Sequence, residues 1–474
     1  MEIKLNTLTV KSGLKAHSLI GLFSAGLLYL IAVSGSLSVF FEEFDRWEQP
    51  NVPEYKIFSP EKMKTAVDEY INRVGEIPKS LYIVLPTEGF PRTHITDGET
   101  EWYLAESGEF MQSPDVPWTT FIRELHGHLT LPHTLGMSIV GIMGVLCLAL
   151  IISGVIAHPS IFKDAFLWRV GKTSRVQQMD LHNRLGVWGL PFHFMIAISG
   201  AFMGFGGIFM AITSYVIFSG DPQEVVDAIY GKDPVIAHQT LEVNYTQAFA
   251  TLKQRQPEVT PIYMVLHNAG KPEQLLEVAA TSPGRLSYSE IYRFNSKGEW
   301  VNQQGLINGP IGGQFAYSMY RLHFGHYHSN WVKLLYGIMG IAFTFLIVSG
   351  INIWLARRKY QTWVNSLWNG WVMGTLIAFA SSCWMRFIGF NPETVFFSTL
   401  GATVLTSILG KGHMKITNAF YVALAINILL IPIVHAINFN FLALDSMQYA
   451  IYTAVILFGI GLTGITYKRI RTYR

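Results

Sequence analysis

Two stretches decide the fold: HSLIGLFSAGLLYLIAVSGS at residues 17–36 and HNRLGVWGLPFHFMIAISGA at 182–201. They are one helix written twice. Each opens on a histidine, His17 or His182, and has a glycine four residues on, Gly21 or Gly186. Each then reaches a Ser-Gly pair at the same distance, Ser34-Gly35 or Ser199-Gly200. A second pair of segments repeats in the same way. LHGHLTLPHTLGMSIVGIMGVLCLALIISG (125–154) parallels LHFGHYHSNWVKLLYGIMGIAFTFLIVSG (322–350). In both, Gly-Ile-Met-Gly begins 12 residues before a Ser-Gly pair, Gly141 before Ser153 and Gly337 before Ser349. The unit is helix, long polar segment, helix, and it occurs as a tandem pair.

Half of the 474 residues are apolar and only 14% are charged, against about 25% in soluble domains. That deficit points to a membrane protein. The net charge of +3 is too small to suggest nucleic acid as a partner. Cys147 and Cys383 each lie in an apolar run, so neither a disulfide framework nor a thiolate metal site is available. Histidine, at 15 residues, is the remaining soft ligand.

A spanning helix needs about 20 mostly apolar residues. Suitable runs are 18–41, 134–157, 185–220, 334–356, 364–385, 394–410, 416–435 and 446–467. Eight transmembrane helices are therefore expected, with 185–220 continuing as a surface segment after about Gly206. Basic residues set orientation. Lys4, Lys11 and Lys15 precede the first run; Lys163, Arg169, Lys172 and Arg175 follow the second; Arg357, Arg358 and Lys359 follow the fourth. Lys411 and Lys415 follow the sixth, and Lys468, Arg469, Arg471 and Arg474 end the chain. All fall on one side if the helix count is eight, which makes both termini cytoplasmic. The first run is too long for a signal-peptide core and is read as an uncleaved anchor.

Residues 42–125 and 221–322 then lie outside the cytoplasm, each long enough for a small α+β domain. SPEKMKTAVDEYINRVG predicts a helix with Ser59 as N-cap before Pro60. SLYIVLP and TEWYLAESGEF predict strands, with Gly108 in a turn. The second segment repeats the outline with NYTQAFATLKQRQ, IYMVLHN, QLLEVAAT and SYSEIYRFNSKGEW. Neither shows a nucleophile triad, a zinc motif or a phosphate loop, and His94, His238 and His267 stand isolated.

An ionisable residue at a membrane helix is costly and calls for a reason. A lone histidine there is ordinarily an interfacial group bonded to a headgroup or carbonyl. Here the repeat changes the reading. His17 and His182 start equivalent helices on the inner side, and His126 and His323 precede equivalent helices on the outer side. Parallel repeats are related by an axis along the membrane normal, which sets His17 opposite His182 and His126 opposite His323. Two facing imidazoles suit the axial positions of haem iron. Zinc suits them less, because no carboxylate or thiolate completes either pair. Two haems on opposite sides of a core about 30 Å thick would form an electron path. Ser34-Gly35 and Ser199-Gly200 either make room for the outer haem ring or serve ordinary helix packing.

Haem propionates would want cations: Lys15 and Arg184 near the inner pair, Arg123 and Arg321 near the outer, unless these are solvated surface charges. The outer ligands have competitors in His128, His133, His326 and His328. Pro132 should break the helix between His126 and the membrane run. His193 has Leu28 as its counterpart and reads as a packing or substrate-path residue; His158, His413 and His435 end helices and read as interfacial. The last four helices carry no copy of the histidine motif. Their roles stay open between quinol binding, support of the bundle and partner contact.

In HSLIGLFSAGLLYLIAVSGSLSVFFEEFDRW, LHGHL, DLHNRLGVWGLPFHFMIAISGAFM, and LHFG with GIMGIAFTFLIVSG, the chain resembles the PepSY-associated transmembrane helix family. The resemblance covers about residues 11–359, and the family includes the FoxB/PiuB-type iron-siderophore reductases. It implies four core helices, two PepSY-like periplasmic domains, haem b, and reduction of ferric chelates at a bacterial inner membrane. It also implies that His17, His126, His182 and His323 are the haem ligands. The chain departs from the pattern in its four extra C-terminal helices and in lacking a flavin or nicotinamide domain, so quinol becomes the natural electron donor.

The expected layout is a mainly α membrane protein built as a tandem repeat. It runs 1–41 tail and first helix, 42–125 first PepSY-like domain, 126–220 second and third helices, 221–322 second PepSY-like domain, 323–359 fourth helix, 360–474 C-terminal module. The expected function is a two-haem ferric reductase acting on Fe(III)-siderophore or another ferric chelate. The rival expectations are a siderophore permease and a non-catalytic PepSY binding or regulatory protein.

Overall fold

A computed structural model describes residues 5–472, except 76–77, 168, 170–172, 233, 235–241, 327–329, 358–362, 412 and 440–445. Of the residues singled out above, Lys4, Lys172, His238, His328, Arg358, Lys359 and Arg474 lie outside the described set.

The chain runs α1 (Thr7–Ser38), α2 (Phe41–Glu48), α3 (Pro60–Val74), β1 (Ser80–Val84), β2 (Thr93–Thr96), β3 (Glu101–Leu104), α4 (Pro117–His128) and α5 (His133–Ala157). It continues with α6 (Ile161–Asp164), α7 (Ser174–Trp188), α8 (Leu190–Ile217), α9 (Pro222–Tyr230), α10 (Tyr245–Arg255), β4 (Thr260–His267), β5 (Leu275–Thr281), β6 (Glu290–Phe294) and β7 (Trp300–Gln303). It ends with α11 (Ile311–Phe324), α12 (Asn330–Leu355), α13 (Trp363–Met385), α14 (Pro392–Leu409), α15 (His413–Asn438) and α16 (Ser446–Thr472). Eight helices among the described residues are long and apolar enough to cross a membrane: α1, α5, α8, and α12 to α16.

Two compact units emerge. The first comprises 1–48, 116–204 and 334–474; the second comprises 49–115 and 205–333. In the first, α13, α14 and α15 share one core with α1 and α4: Tyr29, Leu30, Trp118 and Phe121 are buried with Met373, Phe379, Phe396 and Phe420. Tyr29 donates its hydroxyl to the Val372 carbonyl at 3.0 Å, and Trp371 donates its indole N–H to Gly26 at 3.1 Å. The C-terminal helices are thus part of the same body as the first helix.

The repeat explains the helix packing. A Cβ at Gly144 would stand 2.9 Å from the Ala201 nitrogen, and one at Gly204 would stand 2.6 Å from Gly141 Cα, so the first Gly-Ile-Met-Gly lets α5 touch α8. A Cβ at Gly340 would stand 3.1 Å from Ser36 Cβ, so the second copy lets α12 touch α1. Small residues permit such backbone approach. The helices of the two repeats therefore make the same contact crosswise, as a two-fold relation requires.

The third expected helix differs from its reading in one place. It is divided at Gly189 into α7 and α8, because Pro191 cannot donate a backbone bond into the preceding turn. The expected change after about Gly206 falls inside α8, which stays helical to Ile217 while residues from 205 onward group with the second unit.

In the second unit, the two polar segments build one seven-stranded antiparallel sheet, ordered β3-β2-β1-β4-β5-β6-β7. The seam is β1 against β4, pairing Ser80 with His267 and Ile83 with Met264. Helices α3 and α10 cover one face, burying Met63, Tyr70, Ala248 and Leu252 against Leu81, Ile83, Met264 and Phe294. The expected α3 stops at Gly75, whose φ of 74° is the left-handed C-cap that glycine permits. Ser59 takes the N-cap position, but its hydroxyl bonds Glu61 rather than a backbone N–H. Strand β2 was not anticipated from the sequence. Its four residues are too few to show a period.

Candidate functional site

His17 of α1 and His182 of α7 meet within the first unit, their ring centroids 6.2 Å apart and their planes at 81°. Each ring is held by a neighbouring helix in the same way. His17 Nδ1 lies 3.0 Å from the Leu150 carbonyl and 3.3 Å from Ser153 Oγ on α5. His182 Nδ1 lies 3.0 Å from the Leu346 carbonyl and 3.1 Å from Ser349 Oγ on α12. A carbonyl only accepts, so Nδ1 carries the proton in both rings, and Nε2 keeps its lone pair. The next residue is glycine in each case. A Cβ at Gly154 would come within 3.1 Å of His17 Cε1, and one at Gly350 within 3.1 Å of His182 Cε1.

His126 is held by a third copy of this cradle. Its Nδ1–H donates to the Ile31 carbonyl at 3.0 Å, and a Cβ at Gly35 would stand 2.5 Å from its Cε1. Burial holds the His126 imidazole below its ordinary pKa, against the opposing hydrogen bond to Ile31. That keeps it neutral, as a metal ligand must be. The Ser349 hydroxyl donates to the carbonyl that receives its histidine, Leu346, at 2.8 Å, whereas Ser34 and Ser153 lie closer to the carbonyls four residues back, Leu30 at 2.9 Å and Ala149 at 2.6 Å, with Ile31 and Leu150 each at 3.2 Å. Within the apolar runs the pattern is Leu/Ile-x-x-Ser-Gly, and Ile196-Ala-Ile-Ser199-Gly200 is its fourth occurrence there; Leu104-Ala-Glu-Ser107-Gly108 matches it outside them. Sequence reading noticed the Ser-Gly pairs but left the carbonyl three residues before each serine unseen. Its four occurrences in apolar runs were the available signal.

The histidine before each second helix sits at the end of a short helix that sequence reading did not separate. Helix α4 ends just after His126 with Leu129 and Thr130 both left-handed, at φ 57° and 53°. Helix α11 ends just after His323 with Gly325 at φ 71°. His126 belongs to the first unit and His323 to the second. Pro132 does break the chain, as the N-cap of α5. Of the competitors, His128 bonds its Nδ1–H to the Leu131 carbonyl at 2.9 Å, and exposed His133 lies beside it at 5.5 Å between rings. His326 follows α11, and its ring lies 5.8 Å from Phe324.

The four cations are placed unequally. Lys15 is exposed. Arg184 donates to the Leu167 carbonyl at 3.2 Å and lies over Trp188. Arg123 lies over the Phe41 ring at 4.8 Å. Arg321 spends Nε on the His326 carbonyl and Nη1 on those of Arg285 and Ser287, so its fork already supports the chain after α11.

His193 is buried 4.8 Å from the Phe343 ring, in keeping with a packing role. His435, expected at an interface, is fully buried, with Nε2 at 2.7 Å from the Trp47 carbonyl and Nδ1 at 2.5 Å from the Tyr452 hydroxyl. His158 pairs with Asp164 at 3.1 Å. In the sheet, burial pushes His94 down to about 4 beside Glu101. His267 is not isolated. It joins Ser80 at 2.8 Å to Glu277 at 3.1 Å, and Glu277 accepts Arg293 Nε–H at 2.7 Å. These four residues come from four adjacent strands, so this is a ladder across one face of the sheet. Arg293 neutralises the carboxylate, which unsuits the trio for activating Ser80.

Among the described residues no group of three or more His, Cys, Asp or Glu could hold a metal ion unaided. A ring that brings four in-plane nitrogens and needs two axial ligands asks for less. Two imidazoles bound through Nε2 to one iron, at about 2 Å per bond, have centroids roughly 6 Å apart. The 6.2 Å between His17 and His182, with both Nδ1 atoms turned to carbonyls, fits that demand.

The site and fold are those of a multi-pass membrane protein with duplicated histidine cradles. Residues 14–357 match the family model of the PepSY-associated TM region, and the chain belongs to that family. An uncharacterized protein of Pseudomonas aeruginosa is 25% identical over 235 residues, which are 47% of this chain. The chain spans 60% of that relative's own length.

Proposed function

We propose that the protein is a two-haem oxidoreductase of a bacterial inner membrane that reduces a ferric siderophore, or another ferric chelate, in the periplasm. The observation that carries the reading is the inner pair, with two imidazoles at axial spacing and each tautomer fixed by a carbonyl. On this reading His17 and His182 hold one haem b. The equivalence of His126 and His323 in the sequence repeat makes them the candidates for the second. Haem when bound supplies one-electron chemistry without a proton.

The chain's own residues do the rest. The Nδ1–H bonds to Leu150, Leu346 and Ile31 orient the rings and raise the basicity of the opposite nitrogen. Gly154, Gly350 and Gly35 let the Cε1–Nδ1 edge of each ring approach its supporting helix. Lys15, Arg184 and Arg123 would balance propionate charge, with Arg321 contributing less because its donors are committed. Membrane quinol is the proposed donor. Reduction lowers the affinity of oxygen ligands for the iron, because Fe(II) is the softer ion, and so releases the metal from its chelate.

The test is the visible spectrum of the detergent-purified protein, oxidised and dithionite-reduced, with a haem-to-protein ratio. Bis-histidine b-type bands at two haems per chain, reoxidised on adding a ferric chelate, are expected. A protein that stays colourless after haem supplementation during expression would overturn the proposal and favour a permease or a binding protein.

A further inference from the structure

The C-terminal helices carry no histidine cradle, yet they reach the helix that carries His126. The link is Glu48, the last residue of α2, which is fully buried. Its Oε1 accepts the Trp118 N–H at 3.2 Å and Arg386 Nε–H at 2.8 Å. Its Oε2 accepts the Thr119 N–H at 2.7 Å and the Thr119 hydroxyl at 2.6 Å. Burial pushes the Glu48 pKa up, against the bonds from Thr119 and Trp118 and the Arg386 charge; all four contacts are donors, which suits an ionised carboxylate. Trp118 and Thr119 lie in the first turn of α4, where backbone N–H groups lack helical partners and negative charge is favoured. Trp118 also donates its indole N–H to Ser382 Oγ at 3.2 Å. One residue before Glu48, Trp47 is stacked on His435 at 4.2 Å between centroids, and its carbonyl receives the His435 Nε2–H.

Helix α4 is a short rod with a grip at each end. The first turn is held by Glu48, Arg386 and Ser382. The last turn carries His126, bonded to the Ile31 carbonyl. The two ends are about 12 Å apart along the helix, at ~1.5 Å per residue. A buried ion pair is weak evidence for stability, since replacing it by apolar groups is often neutral. Its value here lies in direction: a charged bond from α13 fixes where α4 begins. Arg386, Ser382 and His435 all lie beyond residue 357, outside the region that defines the family.

We propose that Glu48 and Arg386 are positioning residues for the outer haem, through which the C-terminal helices set the place and the redox potential of the group at His126. The inference rests on the reading that His126 holds a haem. Neither residue touches that haem. Each acts through α4.

The experiment is a spectroelectrochemical titration of the full-length, haem-loaded protein, with the two waves assigned by His17→Ala. In Glu48→Gln a negative charge is lost and the Arg386 cation is left in place. The outer wave should rise by the equivalent of a tenfold change in equilibrium constant, about 59 mV for one electron. The inner wave should stay where it is and serves as the control for folding. Arg386→Lys alone, which keeps both charges, should retain most of the wild-type value. Thr119→Val, which removes one donor and leaves no charge unpaired, is the milder second variant and should move the outer wave alone. Waves that move together, or not at all, overturn this inference and leave the two-haem reading intact. Haem at the inner pair only overturns this inference while sparing the inner site. A protein without haem overturns both.

Discussion

The two halves of this chain agree where histidines are held and diverge where strands are made. His17 and His182 sit in cradles that match atom for atom, each a carbonyl, a serine hydroxyl and a glycine from the neighbouring helix. The polar segments share an outline, helix then strands, but contribute three strands from one side and four from the other to a single sheet. The difference teaches what each region has to satisfy. On the proposed two-haem reading, a ligand pair on a two-fold axis needs the same atoms from both halves. A sheet asks only that each strand find a neighbour, so the segments were able to diverge and fuse.

The comparison breaks first at the histidines. His17→Ala and His182→Ala should each lower the haem-to-protein ratio from two toward one, and by the same amount. Unequal losses would show that the cradles are not functionally equivalent. The next effect is at the seam. Ile83 is fully buried on β1 against β4, so Ile83→Ala should cost about 2–5 kcal/mol. If the sheet is one cooperative unit, hydrogen exchange will quicken in β4 and β5 as well as in β1. Exchange confined to β1 and β2 would mean that the two segments retain separate stability.

Glycine variants sharpen the cradle comparison. Gly35→Ala should reduce haem at His126 more than Gly154→Ala or Gly350→Ala reduces it at the inner pair, because the added methyl would stand 2.5 Å from the ring in the first case and 3.1 Å in the others. Pyridine haemochrome quantitation of the three variants decides it. The smallest effect concerns acid. Burial works against the Glu277 carboxylate, but the hydrogen bonds from His267 and Arg293 prevail and hold it below its ordinary 4.5. A depressed carboxylate contributes stability that is present above its unfolded value and is lost as pH falls through its folded value. Thermal unfolding of the sheet should therefore be steady above about pH 4.5 and weaken below it, and Glu277→Gln should flatten that dependence.

The sequence alone determined the tandem repeat, the eight apolar runs and the four equivalent histidines. These are legible because duplication preserves spacing, and because a bilayer imposes length and apolarity on each span. It did not separate α4 and α11 from the helices that follow, nor join the two polar segments. Strand pairing is a choice of neighbour, and no residue in SLYIVLP names IYMVLHN as its partner. Glu48 and His435 were equally silent, since a carboxylate after FEEFDRW and a histidine near a helix end look like surface groups until the chain folds around them. Tertiary structure decided that the carbonyls of Ile31, Leu150 and Leu346 receive the histidines, and that Arg386 closes on Glu48. The physical reason is the same in each case. A hydrogen bond or ion pair between residues 95 or more positions apart depends on which helices lie side by side, and local pattern carries no record of that.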